Sequence, residues 1–294
     1  MKLSVIVINW NEARDTERTI VTVGSWRSHV SDLTLWIVDN ASSEPGIDAM
    51  MRAYPETRFI QSAVNLGFGG ANNVAIAAAL DHGSDAVLML NNDASMDGPN
   101  VKAMVAALES DPRIGVVGPI LWHKEHLISV GGRDIARHGA THMRSPWPAQ
   151  GLLDVDYVSG TAALVHRRTF ESVGLLDEDY FFAGEMADLC FRARRAGLRC
   201  VTSCDAKAFH DLDRSSSLRE TLHAYYIFRN RFLYITKHCG RCKARLFLAW
   251  MVRCSYAAAK ALAQGKRRRA RAIALGLVDG LKGRFGGRNE RVLG

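Results

Sequence analysis

Over the first 120 residues, short β-rich runs alternate with helical stretches, and each run ends in a polar string. This alternation constrains the chain more than any other feature, because it predicts a parallel sheet covered by helices on both faces. Candidate strands fall at 3–8, 33–38, 58–61, 86–90 and 115–117. They are continuous apolar runs more often than alternating ones, which suits strands buried on both sides. Helices are predicted near 16–25, 47–54, 71–82 and 100–109. In open sheets of this kind ligands bind beyond the carboxyl ends of the strands. Those positions are polar throughout. The first strand is followed by Asn9-Trp10-Asn11-Glu12 and the second by Asp39-Asn40-Ala41-Ser42. The third is followed by Asn65-Leu66-Gly67-Phe68-Gly69-Gly70 and the fourth by Asn91-Asn92-Asp93. Four strand ends are therefore expected to converge on one crevice.

Residues 121–155 break the pattern with Gly, His, Trp and Pro, including Gly131-Gly132 and Pro146-Trp147-Pro148, and no element is predicted there. A strand at 160–165, a short helix at 168–173 and a helix at 185–196 closed by Gly197 follow. In that last helix Met186, Leu189, Cys190 and Ala193 mark an inward face at helical spacing.

Several of these residues have chemistry that suits a nucleotide or metal site, each beside a plainer role. Asp93 is the one carboxylate placed at the fourth strand end to hold a divalent cation through hard oxygen ligands, or else it caps a turn. Asp39 can accept hydrogen bonds from a base or ribose, or cap its own loop. The glycines 67, 69 and 70 match neither a dinucleotide fingerprint nor a P-loop; they permit close backbone approach to a ligand, or a tight strand-to-helix turn. Glu185 at the start of its helix can act as a general base if burial raises its pKa, or simply pair with the helix dipole. Asp188 lies inside the first turn. His210 is a second candidate ligand for a metal or phosphate. Cys239-Gly240-Arg241-Cys242, preceded by His238, would need Cys200 and Cys204 as the second ligand pair of a zinc site, and it joins two helices where a redox motif follows a strand.

At 294 residues, 48% hydrophobic and 23% charged, the composition is that of a folded globular chain. Six cysteines fit free thiols in a reducing compartment, and the first apolar run reads as a strand of a cytosolic protein rather than a signal sequence. The net charge of +8 hides an asymmetry: residues 239–294 hold 14 Lys/Arg against 2 Asp/Glu, while residues 1–238 hold 24 against 28. The apolar stretch 246–263 is interrupted by Arg253 and Lys260, and five of the six residues from Lys266 to Arg271 are basic. A helix lying in the lipid interface, its basic residues meeting anionic headgroups, is expected there rather than a spanning helix. The alternative is a helical pair packed on the core or on a second copy in a homo-oligomer. Nucleic acid is not expected, since basic charge is its sole support.

Taken together these strings resemble glycosyltransferase family 2, inverting enzymes of the GT-A fold, and especially its bacterial rhamnosyltransferase-like branch for surface polysaccharides. The carrying strings are Val5-Ile6-Val7-Ile8-Asn9-Trp10-Asn11, Val38-Asp39-Asn40-Ala41-Ser42, Asn65 through Asn72, and Leu90-Asn91-Asn92-Asp93. After them come Gly160-Thr161-Ala162, Asp177-Glu178, Phe181-Phe182, Asp188-Leu189-Cys190, Arg192 and His210. The resemblance implies an α/β GT-A (Rossmann-like) fold, a mostly parallel sheet flanked by helices with a helical C-terminal extension. It implies a catalytic domain over 1–238, its nucleotide-sugar half at 1–118 and acceptor half at 119–238, ahead of a basic tail at 239–294. Asn9, Asn11, Glu12, Asp39, Asn65, Gly67, Asn72, Asn91 and Asn92 would surround a dTDP- or UDP-sugar. Asp93 and His210 would hold Mg²⁺ or Mn²⁺ on its diphosphate. The acceptor would be a saccharide or lipid-linked saccharide at the inner face of the cell membrane. One departure matters. The family often has Glu-Asp-x-Asp before Leu-Cys, with the first Asp as base, whereas this chain has Glu185-Met186-Ala187-Asp188. Glu185 is expected to take the role, with Asp188 the other carboxylate. A non-catalytic sugar-nucleotide-binding scaffold is the alternative that Met186 raises, and a nicotinamide dehydrogenase is disfavoured by the missing fingerprint.

Overall fold

The computed structural model describes residues 1–145, 147–211 and 217–294. Pro146, of the Pro-Trp-Pro string, and residues 212–216, of the segment after His210, lie outside the described residues. Ten strands form one sheet among the described residues. The first is β1 (Leu3–Asn9), then β2 (Leu33–Asn40), β3 (Arg58–Ser62), β4 (Ala86–Leu90) and β5 (Ala94–Ser95). After them come β6 (Ile114–His123), β7 (His126–Ser129), β8 (Leu152–Asp154), β9 (Ala162–His166) and β10 (Arg199–His210). The order is β3-β2-β1-β4-β9-β6-β10-β5, with β7 on β6 and β8 on β10. β1 pairs in parallel with β2 and β4, and β2 with β3, whereas β9 runs antiparallel between β4 and β6. The sheet is thus mostly parallel, as expected.

Helices α1 (Ala13–Ser25), α2 (Ile47–Ala53), α3 (Gly67–Asp81), α4 (Gly98–Glu109), α5 (Arg167–Val173) and α6 (Glu185–Arg195) connect the strands. One apolar cluster joins α1 and α4 to one side of the sheet; the other joins α3, α5 and α6 to the opposite side. α3 starts at Gly67, four residues before the predicted position. Asn40 and Asn65 cause this, because their carboxamide oxygens accept from the amides of Leu66 and Gly67 and so occupy donors that a helix start leaves open. Gly67 is required there: its φ is +72°, and a Cβ would sit 2.3 Å from the Phe181 carbonyl oxygen.

Residues 121–155, without a predicted element, hold the end of β6, a hairpin to β7, and β8. β6 runs six residues past its predicted end. Gly118 and Pro119 mask it in the sequence, yet a Cβ at Gly118 would meet the Val158 side chain at 2.5 Å, so the glycine serves close packing. β10 was not predicted; a register break between Ser203 and Lys207 bends it from β8 toward β5.

The chain closes with α7 (Ser217–His238), α8 (Lys243–Ala263), α9 (Arg267–Leu281) and α10 (Asn289–Leu293). The expected boundary at 238 falls between α7 and α8. Residues on both sides share one cluster, in which Trp250, Cys254, Ile273 and Val292 pack with Tyr180, Ala187, Tyr225 and Phe232. The six cysteines are free thiols, and Cys239 and Cys242 sit at a helical turn between α7 and α8.

Candidate active site

The polar strand ends do meet. Asn9, at the end of β1, donates to Asp39 Oδ1 at 2.8 Å and accepts from Thr16 of α1 at 2.9 Å. Asn92 donates to the same Thr16 hydroxyl at 3.3 Å, so the ends of β1, β2 and β4 are tied through Asn9 and Thr16. Both Asn9 and Asp39 are buried. Asn11, in the left-handed region at φ +57°, accepts from the amides of Ser43 at 2.7 Å and Glu44 at 3.2 Å, shaping the loop after β2. Glu12 occupies the position before α1 without capping it. Asn65 accepts from Asn40 at 3.1 Å. Asn72 turns inward and donates to the Phe68 carbonyl, so its amide serves the first turns of α3. The amide of Asn91 donates to the Thr161 carbonyl at 3.0 Å, joining the end of β4 to the loop before β9.

Asp93 and His210, far apart in sequence, are brought together. β5 pairs antiparallel with β10 so that His210 faces Ala94, and His210 Nε2 comes within 3.2 Å of Asp93 Oδ1. The Asp211 amide donates to the Asp93 carbonyl at 2.9 Å. No group of three or more His, Cys, Asp or Glu residues suited to a metal occurs among the described residues. A single carboxylate and one imidazole do fit a cation whose remaining positions are filled by substrate phosphate and water, the usual way such ions are held.

The second half of the site is a cavity of about 170 Å³ lined by Tyr157, Ser159, Glu185, Met186, Asn230 and Arg231, among others. Glu185 is 5% exposed, and its Oε2 has no hydrogen-bond partner among the described residues. Burial raises its pKa to about 7, against the pull of the backbone amides of Glu185 and Ala183. Asp188 has different surroundings. Arg192 lies 2.7 Å from one carboxylate oxygen and His238 Nε2 lies 2.6 Å from the other. Burial works to raise its pKa, but His238 and Arg192 outweigh it and hold the carboxyl below its ordinary value. Met186 packs into the core with Ala163, Leu176 and Leu189.

Residues 4–174 match the model of glycosyl transferase family 2. The chain belongs to that family. This glycosyltransferase is 26% identical to an N-acetylglucosaminyl-diphospho-decaprenol L-rhamnosyltransferase of Mycobacterium tuberculosis, over 95% of this chain and 98% of the relative. It is 25% identical to the low-salt glycan biosynthesis hexosyltransferase Agl10 of Haloferax volcanii, over 79% and 74% of the two chains. Among solved structures it resembles a mannosyltransferase of Pyrobaculum calidifontis in complex with GDP-mannose and Mn²⁺. That match has a TM-score of 0.59 and 16% identity, covering 95% of this chain and 87% of the other. The GT-A fold of the glycosyltransferase is thereby established.

Two residues that shape the cavity, and one beside it, escaped the sequence reading. Asn230 and Arg231 line it, and Arg229 supports it from behind. Asn230 donates to the carbonyls of Tyr180, Phe182 and Ala183 at 3.0, 2.9 and 2.6 Å, and Arg229 donates to those of Asp179 and Tyr180. Together they hold the loop that delivers Glu185. Their signal was present: Arg229-Asn230-Arg231 is a polar triplet inside the aromatic run from Tyr225 to Tyr234. His238, noticed only for its neighbouring cysteines, is a partner of Asp188.

Proposed function

We propose that this glycosyltransferase moves a sugar, rhamnose being the favoured candidate, from a dTDP- or UDP-sugar to a saccharide or lipid-linked saccharide, with inversion. The observation that carries this reading is the buried Glu185 carboxylate, unpartnered at one oxygen and titrating near neutrality on the wall of a cavity. The rhamnosyltransferase and hexosyltransferase relatives support the substrate class.

In this reading Asn9, Asp39 and Asn11 order the loops that receive the nucleoside, with Glu12, Asn65, Gly67, Asn72, Asn91 and Asn92 around them. Asp93 and His210 are the residues that would hold Mg²⁺ or Mn²⁺ against the diphosphate. A cation bound there would offset the charge that grows on the leaving group. Glu185 accepts the proton of the acceptor hydroxyl as its oxygen forms a bond to the anomeric carbon. The bond from that carbon to the phosphate oxygen breaks, and its electron pair departs with the nucleoside diphosphate. A single displacement of this kind inverts the carbon. Asp188 acts as a positioning residue, since Arg192 and His238 occupy its carboxylate. Met186 prompted the idea of a non-catalytic scaffold, but Glu185 supplies the carboxylate that Met186 lacks.

The tail is read as a peripheral contact with the inner membrane face. The segment Gly240–Ala263 is long and apolar enough to cross a membrane by length and composition. Its inward side chains Trp250, Cys254 and Ala261 are buried in the protein, while Leu248, Val252, Tyr256 and Leu262 form an exposed stripe. Lys243, Arg245, Lys260 and the run from Lys266 to Arg269 accompany that stripe, a combination that suits an anionic lipid surface.

Nucleoside diphosphate release from a panel of nucleotide sugars tests the reading, with Mg²⁺, Mn²⁺ or EDTA and with or without acceptor. Release that requires cation and acceptor is expected. Release indifferent to both would overturn it.

A further inference from the structure

Two buried arginines stand two residues apart on α7, and they are treated very differently. Arg229 is fully buried and well supplied with acceptors: Asn230 Oδ1 and the carbonyls of Gly286, Asp179 and Tyr180. Arg231 is 7% exposed, yet among the described residues it makes one hydrogen bond, from Nη1 to the Ile135 carbonyl at 2.7 Å. Its guanidinium lies 4.9 Å from the centre of the Trp250 ring. Its Nε has no partner, and no carboxylate forms an ion pair with it among the described residues. Burial lowers its pKa to about 10, so it stays charged at neutral pH.

A largely desolvated guanidinium whose Nε lacks an acceptor among the described residues is costly unless something else neutralises it. Glu185 is not that partner, for the two do not form an ion pair among the described residues, and Glu185 is itself held near neutrality. What they share is the cavity: both line it, with Asn230 between them in the wall and His142 and His223 at exposed positions. A planar fork of donors recognises a phosphate-type anion.

We propose that this cavity is an anion-recognising acceptor subsite, in which Arg231 binds a phosphate group carried by the acceptor while the accepting hydroxyl faces Glu185. The inference rests on the reading of Glu185 as base. It adds the requirement that the acceptor be charged close to the sugar that is extended. Selectivity follows, because a neutral glycoside leaves the buried guanidinium unpaired.

Two acceptors carrying the same sugar separate the possibilities: a short-prenyl N-acetylglucosaminyl diphosphate and neutral octyl N-acetylglucosaminide. With the full chain, kcat/KM is expected to favour the diphosphate at least tenfold, mainly through KM. In Arg231→Met that ratio collapses toward one, and in Arg231→Lys, which keeps the charge and loses the fork, it falls partway. Donor binding, followed by thermal shift with nucleotide sugar and Mn²⁺, reports whether each variant is folded. Equal losses on both acceptors in a folded variant would overturn the proposal, as would a wild-type ratio near one.

A binding arm stands apart from transfer. With EDTA present to silence the donor site, prenyl diphosphate is expected to raise the Tm of the wild type and not that of Arg231→Met. This result holds even if Glu185 proves not to be the base. Inorganic phosphate stabilising the wild type as strongly as prenyl diphosphate would mark a free-anion site and contradict the acceptor assignment.

Discussion

Glu185 and Asp188 lie three residues apart on one helix, and their surroundings set them to different work. Burial without a counter-charge gives Glu185 a folded-state pKa of about 7, above the ordinary 4.5, which suits the proposed base at neutral pH. The protonated form is therefore favoured by folding. Its stabilising contribution is fully present below pH 4.5 and is lost as pH rises through about 7, amounting to about 3 kcal/mol. Two outcomes follow. kcat/KM should rise with pH through an apparent pKa near 7, and Glu185→Gln, neutral at all pH, should be more stable than wild type at pH 8 in urea unfolding. Loss of stability in that variant at pH 8 would count against the assignment. Asp188→Asn should behave oppositely, losing about 2 kcal/mol, because the half-buried Arg192 and His238 lose the carboxylate that both meet. At this scale the placement of Asp39 and Asp93 at strand ends was legible in the sequence. The surroundings of Met186 were less so. A run of four residues reveals neither that Met186 joins the core nor that His238, fifty residues on, takes up Asp188, because burial and partners are set by tertiary packing.

The first four strands and their helices were readable because each carries its own pattern, apolar but for Ser4 and Asn9 in β1 and wholly apolar in β4, and punctuated by polar ends. β10 was not, since its inward positions are partly Thr, Ser and Cys and its pairing depends on a bend between Ser203 and Lys207. Yet β10 is the element that carries His210 to Asp93. α7 matters as much to the other half of the site. Through Asn230 it holds three carbonyls of the loop before Glu185, and through Arg229 it reaches Gly286. Asn230→Ala should lower kcat by about tenfold or more through misplacement of the base, while leaving the donor Kd unchanged. Isothermal titration with nucleotide sugar, beside steady-state kinetics, checks this. A change in donor affinity of the same size would place the effect elsewhere.

The whole molecule joins a sheet-based body to a helical tail whose charge alone suggested separateness. Packing ties the tail inward: Asp279, fully buried in α9, accepts from Tyr225 of α7 at 2.8 Å and meets Arg291 at 2.6 Å. A chain ended at residue 238 should therefore lose cooperative unfolding, as it would expose Tyr225, Phe232 and their neighbours. The outward stripe on α8 should bind vesicles rich in anionic lipid at low salt. Replacing Leu248 and Val252 by Glu should abolish co-sedimentation without changing turnover on a soluble acceptor, and equal binding to neutral vesicles would argue against an electrostatic contact. The claim on which these parts depend is that a buried carboxylate at the start of α6 deprotonates an acceptor for attack on a nucleotide sugar. Acceptor-dependent release of nucleoside diphosphate, compared between wild type and Glu185→Gln, measures it most directly. The account predicts a loss of at least about a hundredfold in the variant with donor binding retained, and undiminished release by Glu185→Gln would contradict it.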